Sequence, residues 1–403
     1  MTLERKLNIK YGFVQAFAWT GYCAAIGFAA VFLQGRGYSN TELGLVAALG
    51  NVAGFVLSQP LASLVDRSKK ITLFHVLWGL LALDGLLLGL LWLLPGRSAA
   101  VSVLYGLYVA VTMGINPLNN QMIHEFSLWG FRVDFGRARG MGSLAYVPAS
   151  LLLGGLVERF GADILTALGL AAVLLQAATL LAVTGQRRES GASPAVSSPA
   201  ARSTGSSIPA FLRENRRFCL LLLGMAFLYC SHGISENYLI NVTRFVGGGT
   251  RDMGGINAYM AFVELPAMLL YSRLSRRVSC RRLTRFAAVF FAFKSLAIAL
   301  SGSVLQLYAA HTLQGLSYAV LAPAIVEYVR LYVPNQDSAK GQSLAFGVIA
   351  LGNTFASLLG GALFDRFPVP TVLMAGSAIA ALGAVICFAG VVKKGTPPVN
   401  GTA

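Results

Sequence analysis

"ASLLLGGLVERF", residues 149–160, returns as "ASLLGGALFDRF", residues 356–367, without a gap and at a constant offset of 207 positions. Ala149, Ser150, Leu151, Leu152, Gly154, Leu156, Arg159 and Phe160 meet the same residue type in the second copy, and Glu158 is answered by Asp365. Each copy is an apolar run that ends on an acid and an arginine, the pattern of a helix leaving hydrocarbon for water. Similarity of that length across half the chain marks a duplicated unit.

The rest of the chain supplies the two units. Of 403 residues 56% are hydrophobic and 12% charged, with a mean hydropathy of +0.65, which excludes a water-soluble globular domain. Apolar windows of roughly 20 residues, enough to cross a core about 30 Å thick as helix, recur at the spacing of a helical bundle. Twelve spans are expected, at 11–34, 43–65, 72–94, 101–123, 140–157, 164–183, 218–242, 256–274, 286–300, 304–329, 341–364 and 372–392. The fold class is an all-α membrane protein of two pseudo-symmetric six-helix bundles. Residues 1–184 form the N-terminal bundle and 218–392 the C-terminal one. A Ser-, Ala-, Pro- and Arg-rich stretch at 185–217 reads as a flexible cytoplasmic linker, and 393–403 as a cytoplasmic tail. The first span is too long for a leader's apolar region and is read as retained.

Net charge is +16, and its placement decides what it means. With the N-terminus inside, 25 Lys and Arg fall in cytoplasmic segments and 6 outside, with Lys294 inside a span. That is the positive-inside bias of a multi-pass protein of the plasma (inner) membrane with both termini cytoplasmic, so nucleic acid is not needed as a partner. The five cysteines are scattered and suit small packing residues, and no metal or cofactor motif occurs. A duplicated six-helix unit is the signature of a transporter whose substrate site lies between repeats near the bilayer midplane.

This organisation resembles the major facilitator superfamily over nearly the whole chain. "ASLVDRSKK", residues 62–70, is similar to its loop motif, which implies a gating role for Asp66, Arg67 and Lys70. "FGRARGMGS", residues 135–143, resembles the fifth-helix signature of lactose-permease-like and phenylpropionate-permease-like proton symporters. That resemblance implies that Arg139 binds substrate with a fourth-helix partner, here Gln121 in place of Glu, and that Tyr146 stacks on it. The tenth-helix Lys-x-x-His-x-x-Glu pattern is read here as His311, Gln314 and Ser317, and Lys294 falls where lactose permease has its ninth-helix Arg. A charge at mid-bilayer costs about 2.5–3.5 kcal/mol even on insertion scales, so each polar intramembrane residue needs a reason.

Arg137 reads as a headgroup anchor; Arg139 shares a helix face with Tyr146 two turns on, suiting a hydroxylated ring or a small carboxylate. "NPLNNQ" sets Asn119, Asn120 and Gln121 after Pro117, as substrate ligands or as glue between helices. Lys294 has two candidate partners, Glu264 beside Pro266 and Glu236. Together with His311 they form either a structural pair or a protonation switch, Glu264 being the preferred acid. His311 and Gln314 lie one turn apart, and His232 precedes Glu236 by one turn. Asp84 reads as structural.

The expected function is proton-coupled symport of a small organic solute (a sugar, a nucleoside, or an aromatic or small carboxylate) by a monomer. The alternative is a proton-driven efflux antiporter. No nucleophile or metal cluster supports an enzyme.

Overall fold

No water reaches hydrocarbon to bond a stray N–H or C=O, so a chain this apolar must close its backbone hydrogen bonds within each crossing segment. The computed structural model, which describes residues 3–68, 71–190 and 207–392, does so with helices, and no strand occurs among those residues. In chain order they are α1 (Leu3–Tyr22), a π turn (Cys23–Gly27), α2 (Ala29–Gly35), α3 (Asn40–Arg67), α4 (Leu73–Leu93), α5 (Ala99–Leu128), α6 (Phe135–Phe160) and α7 (Ile164–Ser190). There follow α8 (Ile208–Glu214), α9 (Arg216–Glu236), α10 (Leu239–Phe245), α11 (Thr250–Leu274), α12 (Cys280–Ala299) and α13 (Val304–Thr312). A 3-10 turn (Leu313–Gly315), α14 (Tyr318–Tyr332), a second 3-10 turn (Asn335–Asp337), α15 (Ser338–Arg366) and α16 (Val369–Gly390) complete the series.

Among the described residues ten helical stretches are long and apolar enough to cross a membrane, and α1 with the π turn and α2 makes an eleventh, bent by 47°. Twelve were expected. The difference is the ninth, at 286–300: α12 forms over 20 residues but carries Arg281, Arg282, Arg285 and Lys294, too charged to count by apolarity alone. The linker expectation also changes, because α7 runs on to Ser190 and α8 occupies Ile208–Glu214. Residues 191–206, the tail at 393–403 and Lys70 lie outside the described residues, as do the side chains of Asp66 and Arg67 at the end of α3.

The chain divides into two compact units, Met1–Ala200 with Thr250–Ala261, and Ala201–Gly249 with Phe262–Ala403. In the first, α1 packs on α6 and α7, and α5 packs on α3 and α4. The first copy of the repeat sits in α6. Its Ser150 Oγ donates to the Gly254 carbonyl at 2.9 Å, and Glu158 Oε2 accepts from the Arg251 N–H at 3.0 Å. A Cβ at Gly154 would run into the Thr250 carbonyl and the Gly254 backbone. This small-residue approach is why the start of α11 groups with the first unit, although a boundary at residue 218 had put it in the second.

Arg36, 8% exposed, ties down the other edge of this unit. Its Nη1 and Nη2 donate to the carbonyls of Leu94 and Leu91, both at 2.9 Å, capping α4. Its Nε meets Asp163 Oδ1 at 2.8 Å ahead of α7, and the guanidinium lies 4.4 Å from the Phe32 ring centroid. One side chain thus joins α2, α4 and α7.

In the second unit α9 lies against α15 and α16, and α12 against α14 and α16. Gly224 and Gly383 let α9 and α16 approach backbone to backbone. The core is Leu221, Met225, Tyr229, Ala287, Phe291, Leu321 and Tyr328. Here the second copy of the repeat meets other partners: Ser357 Oγ accepts from Asn237 Nδ2 at 2.9 Å, and Tyr238 donates to the Ser357 carbonyl at 2.5 Å. Large apolar side chains left exposed, such as Leu93, Leu269 and Leu305, are those a lipid-facing surface requires.

Arg36→Met is expected to lower stability by on the order of 2 kcal/mol, because the buried Leu91 carbonyl and the Leu94 carbonyl beside it lose their donor. Asp163→Asn, at a carboxylate side chain that is 71% exposed, is expected to cost less than about 1 kcal/mol. Thermal unfolding of the detergent-purified variants separates them; equal losses would show that the ion pair, and not the cap, carries the effect.

Candidate functional site

An ammonium in mid-span has to be answered by donors and acceptors from neighbouring helices, since it cannot reach water. Lys294 of α12, 2% exposed, is answered three times. Its Nζ donates to Glu236 Oε1 at 2.7 Å and to Gln314 Oε1 at 2.5 Å, and lies 3.4 Å from His232 Nδ1. His232 and Glu236 come from the last turns of α9, one turn apart. His311 of α13 brings its Nε2 to 3.4 Å from Glu236 Oε1, while its Nδ1 lies 2.7 Å from the Leu307 carbonyl. Gln314 then extends the chain: its Nε2 donates to Glu264 Oε1 on α11 at 2.7 Å. The amide orientation follows from its neighbours, an ammonium that only donates and a carboxylate that accepts.

Every one of these acceptors stands at a flaw in a helix. Glu236 closes α9, where the seventh span breaks before α10 resumes at Leu239. Gln314 lies in the 3-10 turn that interrupts the tenth span, and Glu264 lies two residues before Pro266. Broken helices are tolerated at membrane depth where polar side chains satisfy the freed backbone. Ser317 Oγ adds a bond to the Leu313 carbonyl at 2.8 Å, which the backbone N–H groups of Leu316 and Ser317 also reach. Aromatic rings wall the cluster, with His232 between Tyr318, Phe291 and Tyr229 at centroid distances of 5.5, 5.9 and 6.4 Å.

Of the two acids expected to partner Lys294, Glu236 makes the direct contact and Glu264 joins through Gln314. Glu264, preferred as the coupling acid for its place beside Pro266, is thus one amide removed from the ammonium.

The first unit holds a second polar feature. Arg139 Nη1 donates to Ser143 Oγ at 3.1 Å, and its guanidinium carbon lies 4.0 Å from the centroid of Trp19. Trp19 in turn meets Tyr146 edge-on at 6.4 Å and Tyr22 at 5.0 Å. Tyr146 thus joins Arg139 through an indole that the sequence reading had missed. Its only signal is glycine: at Gly142, in "RGMGS", a Cβ would overlap Trp19 Cδ1. The π turn that follows Tyr22 marks the same place, since such turns favour functional sites.

Asn119 is buried, its carbonyl taking the Tyr11 hydroxyl at 3.0 Å, and it serves packing among α1, α5 and α7. Asn120 is exposed and accepts from Gln15 Nε2 at 3.1 Å; Gln121 is half-buried. Arg137 is exposed and pairs with Asp134 at 3.0 Å, as an anchor should. Asp84 is buried against Thr112, whose hydroxyl donates at 3.2 Å.

Residues 7–374 match the MFS_1 like family. The maltose permease of Geobacillus stearothermophilus is 27% identical over 304 residues, 74% of each chain. A probable 3-phenylpropionic acid transporter of Escherichia coli (strain K12) is 30% identical over 286 residues, 66% of this chain and 68% of that one. Among solved structures, the nucleoside transporter NupG superposes with a TM-score of 0.72 at 15% identity, over 98% of this chain and 100% of that one. A bacterial homolog of the human lysosomal transporter Spinster, inward-facing and unoccupied, superposes with a TM-score of 0.71 at 13% identity, over 97% of each chain. These last two likenesses establish the fold.

Lys294→Met would leave Glu236 buried without its ammonium and is expected to cost about 3–5 kcal/mol. Adding Glu236→Gln should recover most of that loss. Thermal unfolding in detergent reads both; a double variant no more stable than the single one would show that the pair does not balance the site.

Proposed function

Because the chain belongs to the MFS_1 like family and is a membrane transporter of the major facilitator type rather than an enzyme, we propose that it is a proton-coupled symporter of a small organic solute working by alternating access. The observation that carries the reading is the buried chain from Glu264 through Gln314 and Lys294 to Glu236 and His311. A buried ion pair adds little net stability over apolar packing, so a cation, two acids and two imidazoles gathered at helix breaks ask for a use. Proton movement is the use that fits: a proton added next to Glu236 weakens its hold on Lys294, and loss of the proton restores it.

The solute set is Arg139, Tyr146, Gln121 and Asn120 with Trp19, and His311 and Gln314 in the second unit. Asn119 leaves it, being engaged in packing. A guanidinium lying on an indole, with two tyrosines beside it, suits a planar or ring-shaped solute carrying hydroxyls or a carboxylate. The permease relatives named above carry one solute of each kind. Gln121 replaces the fourth-helix Glu that the resemblance pairs with Arg139, which favours a small carboxylate. Two six-helix bundles in the plasma (inner) membrane, both termini cytoplasmic, complete the proposal, and the monomer suffices.

The test is uptake by proteoliposomes of whichever solute stabilises the protein in a thermal-shift screen of sugars, nucleosides and aromatic acids, maltose and 3-phenylpropionate included. An inward proton gradient should drive accumulation, and a protonophore should abolish it. Glu236→Gln should lose accumulation yet keep solute exchange, and Glu264→Gln should have the smaller effect. Arg139→Lys, which cannot present a planar fork, should lower uptake tenfold or more, on the order of 1.4 kcal/mol. Uptake indifferent to the gradient would remove proton coupling, and full uptake by Arg139→Lys would remove that ligand.

A further inference from the structure

Among the groups around Lys294, His311 is the one whose hydrogen positions the geometry settles. A peptide carbonyl only accepts, so Nδ1, 2.7 Å from the Leu307 oxygen, carries a hydrogen. In the neutral ring Nε2 is then a bare lone pair, and it faces Glu236 Oε1 at 3.4 Å, acceptor against acceptor. Both residues are poorly satisfied: His311 Nε2 and Glu236 Oε2 are buried without a hydrogen-bond partner, and the His311 side chain is fully enclosed. A buried polar atom without a partner is expensive, and a proton on Nε2 turns its contact with Oε1 into a hydrogen bond.

The other groups that face this contact are Lys294 Nζ of α12, 2.7 Å from the same Oε1, and His232 Nδ1 of α9, 3.6 Å from it. Gln314 of the 3-10 turn bridges Lys294 to Glu264 of α11. Lys294 therefore keeps an acceptor if Glu236 turns away.

We propose that His311 Nε2 is the seat of the coupled proton, with the Leu307 carbonyl locking the ring as the Nδ1–H tautomer. The inference rests on the proton-coupled reading above and specifies the atom. A hydronium ion from the aqueous side gives up one O–H bond, leaving water, as one N–H bond forms at Nε2; the new N–H donates to Glu236, and Lys294 retains the Gln314 oxygen. When the proton leaves, Glu236 returns to Lys294. A relay through the ring would need both nitrogens, and Nδ1 is already committed to Leu307. The proton accordingly enters and leaves by the same nitrogen, so His311 stores it without passing it on.

Histidine-labelled (13C, 15N) full-length protein in nanodiscs tests this by NMR. The chain has 4 histidines, and the signal lost in His311→Gln identifies the one that matters. If that variant does not fold, His75→Gln, His124→Gln and His232→Gln assign it by elimination. The expected result is the Nδ1–H tautomer at alkaline pH, conversion to imidazolium on acidification, and a titration that Glu236→Gln displaces. An Nε2–H tautomer, a ring that never titrates, or a midpoint indifferent to Glu236→Gln would each overturn the proposal. Uptake insensitive to a proton gradient would instead remove the transport reading and leave the titration intact, so the two failures are distinct.

Discussion

The ammonium of Lys294 cannot leave the protein interior, and the second unit is arranged around that fact. His232 and Glu236 of α9, His311 of α13 and Gln314 of the 3-10 turn sit as they do because a buried cation on an otherwise apolar helix must be met by acceptors from its neighbours. Meeting it requires helices that stop short or loosen, since an unbroken helix offers no backbone freedom with which to aim a short acid or amide. The break after Glu236 and the 3-10 turn at Gln314 supply that freedom. Apolar packing between α9, α12, α14 and α16 then holds the broken pieces in place. Stability and polarity are thus divided between layers of the same unit: a dry core toward one end, and a hydrogen-bonded chain where the helices come apart.

The first unit solves a milder problem with the same means. Arg139 lies in the second turn of α6, where an indole face and a hydroxyl meet it. A π turn just after Tyr22 and a glycine facing the indole make room for the aromatic group. Arg36, by contrast, spends its donors on backbone carbonyls and gives this unit a rigid rim. Two arginines in one unit therefore do different work, one closing helix ends and one lying on an indole face.

The repeat shows how far identical segments can diverge. Ser150 donates its hydroxyl to the Gly254 carbonyl, whereas Ser357 accepts from Asn237 through the same atom. Duplication preserved the small, apolar surface that lets helices approach closely. The particular hydrogen bonds were left to whichever neighbour each copy met.

Much of this was legible along the chain. The membrane class, the helical architecture, the two halves and the transporter family all follow from apolar run length, charge asymmetry and a gapless repeat, which are properties of order along the sequence. Lys294, Glu236, His311, Gln314 and Arg139 stood out for a related reason, each being a polar residue where apolar ones are the rule. Which of them meet was not legible. Lys294 and Glu236 are separated by 58 positions, and Pro266 drew attention to Glu264, which joins Lys294 through Gln314, because a helix flaw is visible in sequence while the direction of a side chain is not. Trp19 was invisible as a partner of Arg139, since a tryptophan in an apolar span looks like any other core or interface residue. α12 failed the apolar test for the complementary reason: its charges are compensated by residues on other helices, and a window along one segment cannot see them. The sequence by itself determined that there are buried charges in a membrane bundle; only the tertiary structure decided their pairing, because pairing depends on where helices break and which faces their packing turns inward.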